Sequence, residues 1–179
     1  DLREFGRNGT YLVFRHLEQH VQEFSDFVAT ASGASTSPQD AEEFAARLVG
    51  RHRDGTPLIS TDSNSAQANE FTFAGDPHGF ACPVGSHIRR ANPRDSLAAD
   101  PAAALRSANR HRLLRRGRPY ARPYPPGAAQ KNGDERGMLF ICLNGDIERQ
   151  FEFVQQNWVN NTVFGGLANE QDRLVGAPG

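Results

Sequence analysis

The segment 137–143, Gly-Met-Leu-Phe-Ile-Cys-Leu, constrains the fold more than any other part of this 179-residue chain, because it contains no polar side chain. Successive side chains of a strand point to opposite faces, so a strand with this sequence has two apolar faces. We therefore expect an interior strand that is covered on both sides.

Two strand-then-helix units are predicted. Residues 10–17 predict a strand with apolar side chains on both faces, also expected in the interior, and residues 18–31 predict an amphipathic helix. The strand at 137–143 is followed by a second amphipathic helix over 146–160. Its predicted apolar stripe consists of Ile147, Phe151, Val154 and Trp158. Between the two units, Ser-Pro-Gln-Asp at 37–40 predicts the start of a further helix. This order favours an α+β fold, with helices packed on one face of an antiparallel, ferredoxin-like sheet.

Composition places the chain among ordinary globular proteins. It is 37% hydrophobic and has a formal net charge of −1, which fits a single domain spanning 1–179. We find no apolar run long enough to span a membrane and no signal peptide. The two cysteines, Cys82 and Cys142, form neither a disulfide framework nor a metal-binding pattern. From these features we expect a cytoplasmic location.

The middle of the chain has little periodicity. Residues 51–108 are rich in Gly, Pro, Asp, Asn and Ser, and so long an irregular segment is typical of a region that is functional or wraps a ligand. A short strand is predicted at 110–116 and a Pro/Gly-rich loop at 119–133.

A strongly basic stretch overlaps this region. Residues 89–122 contain ten arginines and two acids, a local charge of about +8 beside His87. Such clustering indicates a charged partner, yet nucleic acid is disfavoured because few aromatic residues lie among the arginines. Cys82 and His87 lack the further ligands that a zinc site requires.

Four sequence blocks, 82–94, 112–120, 137–155 and 165–176, carry a specific resemblance. The first reads Cys-Pro-Val-Gly-Ser-His-Ile-Arg-Arg-Ala-Asn-Pro-Arg and the second Arg-Leu-Leu-Arg-Arg-Gly-Arg-Pro-Tyr. In this order the blocks resemble the dye-decolourising peroxidases, in particular their longer-chain branch. The resemblance implies a fold of the dimeric α+β barrel type, of which this chain is expected to be the C-terminal half. It also implies haem b as cofactor, hydrogen peroxide as oxidant, and dyes or phenolic compounds as reductants.

The resemblance assigns roles to particular residues. His87 is implied as the axial ligand of haem iron, with Asp172 on its other ring nitrogen and Glu170 or Asp146 as weaker candidates. Arg115 is implied as the arginine that assists peroxide cleavage on the opposite haem face, whereas Arg116 is expected on the other face of its strand. The further expectations are Arg89 and Arg94 for the haem propionates, Leu139 and Phe140 for the ring, and Tyr120 and Trp158 as possible electron relays.

The family's Gly-x-x-Asp-Gly motif does not occur in this sequence. We therefore expect the distal aspartate to come from a second chain or an N-terminal segment. The remaining alternatives are a haem-free ferredoxin-like binding module and, less favoured, a basic nucleic-acid-binding fragment.

Overall fold

The computed structural model describes residue 4 and residues 6–33, 37–59, 69–121 and 135–175. Three strands form one antiparallel sheet: β1 (Tyr11–Glu18), β2 (Leu114–Ala121) and β3 (Arg136–Asn144), in the order β1-β3-β2. The apolar strand predicted at 137–143 is therefore the central strand, and the predicted antiparallel α+β architecture is confirmed.

One face of the sheet is partly covered and the other is open. Leu12 of β1, Leu143 of β3 and Leu114 of β2 lie opposite one another in a row across the sheet, and they are 61%, 36% and 71% exposed. The expectations of an interior β1 and of a β3 covered on both sides are therefore wrong for this chain. On the other face, Phe140 and Cys142 are covered, because the helix that follows β3 packs there through Phe151.

Two helices follow β1: α1 (Val21–Ser32) and α2 (Pro38–Val49). The predicted start of α2 is confirmed. Ser37 accepts a hydrogen bond from the backbone N–H of Asp40, whose carboxylate accepts one from the backbone N–H of Ser37. Gly50 ends α2 at φ +91°, a conformation that suits glycine.

The segment 51–108 is not irregular throughout, contrary to the prediction. It contains α3 (His87–Ala91) and all but the last residue of α4 (Pro101–Asn109). Helix α4 forms because Asp100 caps its N-terminus and Pro101 occupies the first helical position, ahead of three alanines. Strand β2 also begins and ends later than predicted, since Pro119 and Tyr120 belong to it rather than to a loop. The rest of the predicted loop, 122–133, lies outside the described residues.

The predicted C-terminal helix is present as α5, which comprises Glu148–Glu152, Phe153 and Val154–Val159. It is wound with i→i−5 hydrogen bonds, such as the one from Glu152 N–H to Ile147 O. Such π-helical winding is rare and concentrates at functional sites. Its residues Val154, Trp158 and Val159 form the main core cluster with Ala108 and Phe164. None of the described helices is long and apolar enough to cross a membrane.

Candidate haem site

His87 stands at the first position of α3, directly after the turn at residues 83–86. Its Nδ1 atom lies 2.8 Å from Oδ2 of Asp172, the acid that the sequence singled out. The His87 side chain is 25% exposed, and no hydrogen bond to its Nε2 atom is found among the described residues. One ring nitrogen is thus held by a carboxylate while the other is available to a ligand.

Asp172 is almost fully buried and fixed through both carboxylate oxygens. Oδ1 accepts hydrogen bonds from the backbone N–H groups of Leu174 and Val175, while Oδ2 contacts His87. Burial favours the neutral acid, but the hydrogen bond and charge of His87 and the two backbone donors outweigh it, so the pKa of Asp172 is lowered. The carboxylate is therefore ionised and oriented. Glu170 and Asp146 do not hydrogen-bond to His87.

Arg89 is buried and bonded to groups of this chain, which does not favour its predicted contact with a haem propionate. It is 1% exposed and its guanidinium forms a salt bridge of 3.2 Å with Asp76, besides bonds to the carbonyls of Asp76 and Cys82. The ring of Phe73 lies against it, 4.4 Å from Cζ. The buried Arg89 guanidinium therefore links α3 to the segment before it through a salt bridge and hydrogen bonds.

Arg94 belongs to a cluster of arginines that the sequence did not reveal. Burial and then the charges of Arg112 and Arg51 lower the pKa of Arg94, while burial and then Arg115 lower that of Arg51. The two terminal nitrogens of Arg94 donate to the carbonyls of Phe71 and Asn69, and its guanidinium stacks on the Phe71 ring at 3.9 Å. Among the described residues, none of these arginines forms a salt bridge. Arg51 was missed because it lies outside the four blocks, and Arg112 because it begins one of them without an assigned role.

Strand alternation separates the remaining predicted residues. Arg115 lies opposite Cys142, on the sheet face that also carries Phe140, whereas Arg116 lies opposite Ile141 on the open face. Both arginines are exposed. Leu139 also faces the open side, because it directly precedes Phe140 on the same strand. Only Phe140 of the two predicted ring contacts therefore shares a face with Arg115.

The two predicted relay residues occupy different surroundings. Tyr120 lies on the open face, donates to the carbonyl of Leu17 at 3.4 Å and packs against His16. Trp158 is 6% exposed and makes edge contacts with the rings of His111 and Phe153 in the core. Packing accounts for both positions, and an electron-relay role stays a prediction.

The fold and the site together define an α+β protein in which Asp172 holds Nδ1 of His87, so that the Nε2 atom of His87 could bind a metal. Among the described residues no group of three His, Cys, Asp or Glu side chains could hold a metal ion by itself. A single protein ligand instead suits an iron whose other ligands come largely from a porphyrin.

Comparison with known proteins identifies the family. No family model matches the chain. It is 36% identical over 165 residues to the multifunctional dye peroxidase DyP2 of Amycolatopsis sp.. That alignment covers 87% of this chain and 35% of DyP2. It is 32% identical over 193 aligned positions to the dye-decolorizing peroxidase msp1 of Mycetinis scorodonius. This alignment covers 98% of this chain and 37% of msp1. The solved structure of DyP2 superimposes with a TM-score of 0.80 at 34% identity, over 95% of this chain and 39% of that one. The chain is therefore a partial member of the dye-decolorizing peroxidase family and spans little more than a third of these relatives' length.

Proposed function

We propose that the protein is a haem-dependent peroxidase that uses hydrogen peroxide to oxidise dyes or phenolic compounds. This chain would supply the axial ligand His87 and the distal residue Arg115. The observation that carries the proposal is the pairing of His87 with the buried, ionised Asp172, which leaves Nε2 available. A carboxylate on the second ring nitrogen fixes the tautomer and strengthens the imidazole as a metal ligand.

His87 and Asp172 would hold haem b, which when bound supplies a redox-active iron that reacts with peroxide. The hydrogen bond from Nδ1–H to Asp172 keeps the lone pair of Nε2 directed away from the carboxylate. Because Asp172 is itself held by two backbone donors, the imidazole cannot rotate without breaking a buried network. This arrangement suits a ligand that must keep one orientation.

The arginine cluster would receive the haem propionates. Arg51, Arg94 and Arg112 are close enough for their charges to disfavour one another, and among the described residues no carboxylate forms a salt bridge with them. Two propionates would relieve this repulsion and would themselves be costly to bury without cations. Arg94 keeps its predicted role, and Arg51 and Arg112 are added to it.

Arg115 would act on the distal side. Its position opposite Cys142, with Phe140 two residues along the neighbouring strand, places an exposed positive charge on the same sheet face as these apolar side chains. A cation placed there would stabilise the negative charge that develops on the departing oxygen of peroxide. Phe140 would exclude water from the same side.

Replacing Arg115 by Leu should slow the reaction with hydrogen peroxide by about 10²–10³-fold, the usual effect of removing one preorganised electrostatic contact. Arg116→Leu is the matched control, because Arg116 is adjacent, exposed and on the opposite face of the strand. Stopped-flow absorbance of the haem-loaded protein would measure the rate constant. Equal rates for the two variants would contradict the assignment of Arg115.

The acid–base group for peroxide, a distal aspartate, would come from a second chain or an N-terminal segment. The open sheet face supports a covering partner, since its row of Leu12, Leu143 and Leu114 exposes apolar side chains across three strands. Monomeric proteins rarely leave continuous apolar patches uncovered. Native mass spectrometry of the purified protein would show whether a second chain accompanies it.

The primary test is the absorbance spectrum of the purified protein, before and after addition of hemin. A Soret band with one haem per site, together with peroxide-dependent decolourisation of an anthraquinone dye, is the expected result. A protein that stays colourless would instead support the haem-free binding module. Retention on immobilised DNA that weakens steeply with salt would favour the nucleic-acid alternative, although the burial of Arg89 and Arg90 removes two charges from the basic surface.

The cytoplasmic location stays a prediction.

A further inference from the structure

Arg90 is the most thoroughly enclosed charged residue in the described part of the chain. It is 0% exposed, and its guanidinium donates hydrogen bonds to five backbone carbonyl groups. These belong to Gly85, Trp158, Val159, Asn161 and Glu170, at distances between 2.7 and 3.4 Å. Phe164 lies beneath the guanidinium, with its ring centre 5.4 Å from Cζ.

No carboxylate is paired with Arg90 among the described residues, so stabilisation of a buried ion pair does not explain its position. Burial lowers the pKa of Arg90, and the more distant charges of Asp172 and then Glu170 oppose that effect. A buried charge without a salt bridge is expensive unless its hydrogen-bonding capacity is met in full. Here carbonyl dipoles meet it, including two from the last turn of α5, whose carbonyl end is negative.

The carbonyls that Arg90 joins come from three separate segments that converge on the His87–Asp172 pair. Gly85 lies two residues before His87, and Arg90 itself is on the same short helix. Glu170 lies two residues before Asp172, and the remaining carbonyls belong to the end of α5 and the turn that follows. A single rigid group therefore connects the helix that carries the histidine to the loop that carries its carboxylate.

We propose that Arg90 is a positioning residue for the axial histidine. By fixing Glu170 against α3, it holds the carboxylate of Asp172 at hydrogen-bonding distance from Nδ1 of His87. The planar guanidinium is required because its five N–H donors spread in fixed directions, whereas a lysine ammonium offers three donors at one point. The effect on haem rests on the function proposed above, while the mechanical link between the two segments does not.

A direct contact between Arg90 and a haem propionate is not an alternative explanation. Arg90 is 0% exposed and its nitrogens donate to five carbonyls, so no surface of its guanidinium is left for a propionate. The same holds for Arg89, which is equally buried one residue earlier but bonds to Asp76 and Cys82 rather than to the Asp172 loop. Arg89 is therefore the matched control for the loss of a buried guanidinium from α3.

The experiment compares Arg90→Lys, Arg89→Lys, Asp172→Asn and the double variant Arg90→Lys/Asp172→Asn in the haem-loaded protein. The readout is the ferric/ferrous midpoint potential from spectroelectrochemistry. A weaker hydrogen bond from His87 to its carboxylate makes the imidazole a poorer donor to ferric iron, so the potential should rise. We expect a rise in Arg90→Lys, a larger rise in Asp172→Asn, no rise in Arg89→Lys, and no further rise when Arg90→Lys is added to Asp172→Asn.

Two outcomes separate the proposals. If Asp172→Asn raises the potential and Arg90→Lys behaves like Arg89→Lys, the positioning role of Arg90 is wrong. If Asp172→Asn leaves the potential unchanged, the ligation by His87 is what fails.

Amide hydrogen exchange of the unmodified protein tests the mechanical link without any variant, in case Arg90→Lys does not fold. The amides of Leu174 and Val175, which donate to Asp172, should open together with those of Arg90 in α3 and of Asn92, which follows α3 directly. Independent, faster opening of the Asp172 loop would overturn the inference.

Discussion

Replacing His87 by Ala is expected to abolish the histidine-ligated Soret band and the retention of haem through purification. The described part of the chain offers no second histidine hydrogen-bonded to a buried carboxylate, since His20 meets Glu23 only at the exposed surface. Removing the ring also leaves Asp172 buried without its partner, so some loss of stability should accompany the spectral change. Absorbance spectra and haem content per protein would measure the effect.

His78→Ala is the control, because His78 is exposed and its ring contacts only Phe80 among the aromatic side chains described. Addition of free imidazole to His87→Ala should restore part of the ligated spectrum, since the vacated space lies next to an ionised carboxylate. If His87→Ala kept the spectrum and the haem content of the unmodified protein, His87 could not be the axial ligand.

Replacing Asp76 by Asn should lower the free energy of unfolding by about 3–5 kcal/mol, because it leaves the charge of Arg89 buried without its counterion. Asp76 accepts hydrogen bonds from the backbone N–H groups of Phe80, Ala81 and Cys82 besides the guanidinium. An amide NH₂ in place of one carboxylate oxygen would point donors at donors. Urea denaturation monitored by circular dichroism would give the difference.

Glu42→Gln is the matched control, since it breaks the ion pair with Arg53 at 2.8 Å, in which both side chains are more than half exposed. Exposed pairs contribute only about 0–1 kcal/mol, so this variant should be nearly as stable as the unmodified protein. Equal losses of unfolding free energy in the two variants would contradict a stabilising role for the buried Asp76–Arg89 salt bridge.

The buried pair of Asp76 and Arg89 also predicts that stability depends on pH. Burial would raise the pKa of Asp76, but the three backbone donors and then Arg89 outweigh it and hold the pKa below its usual range. A carboxyl whose folded pKa is depressed contributes stability above its unfolded pKa of about 3.9 and loses that contribution as the pH falls through the folded value. The stability gap between the unmodified protein and Asp76→Asn should therefore be constant near neutral pH and narrow below about pH 4.

The parts of the fold that depend on local sequence were predictable. The apolar run at 137–143 predicted the central strand, and Ser37 with Asp40 predicted the start of α2, because period and capping are local properties. Helix α4 was missed although Asp100 and Pro101 carry the same kind of signal. The composition of the surrounding segment obscured it. The exposure of β1 was also missed, since apolar side chains on both faces indicate a need for cover but not whether this chain provides it.

Within the site, the sequence by itself determined the residue types: a histidine after Ser86, an acid near the C-terminal end of the described residues, and a surplus of arginine. Only the tertiary structure decided which groups each arginine contacts. Arg89 and Arg90 are neighbours on α3, yet one closes on Asp76 and the other joins the carbonyls beside Asp172. Arg51 reaches Arg94 across more than forty residues. Charge along a chain is a local sum, whereas burial and partner depend on how distant segments pack, so the arginines could be counted from the sequence but assigned only in the fold.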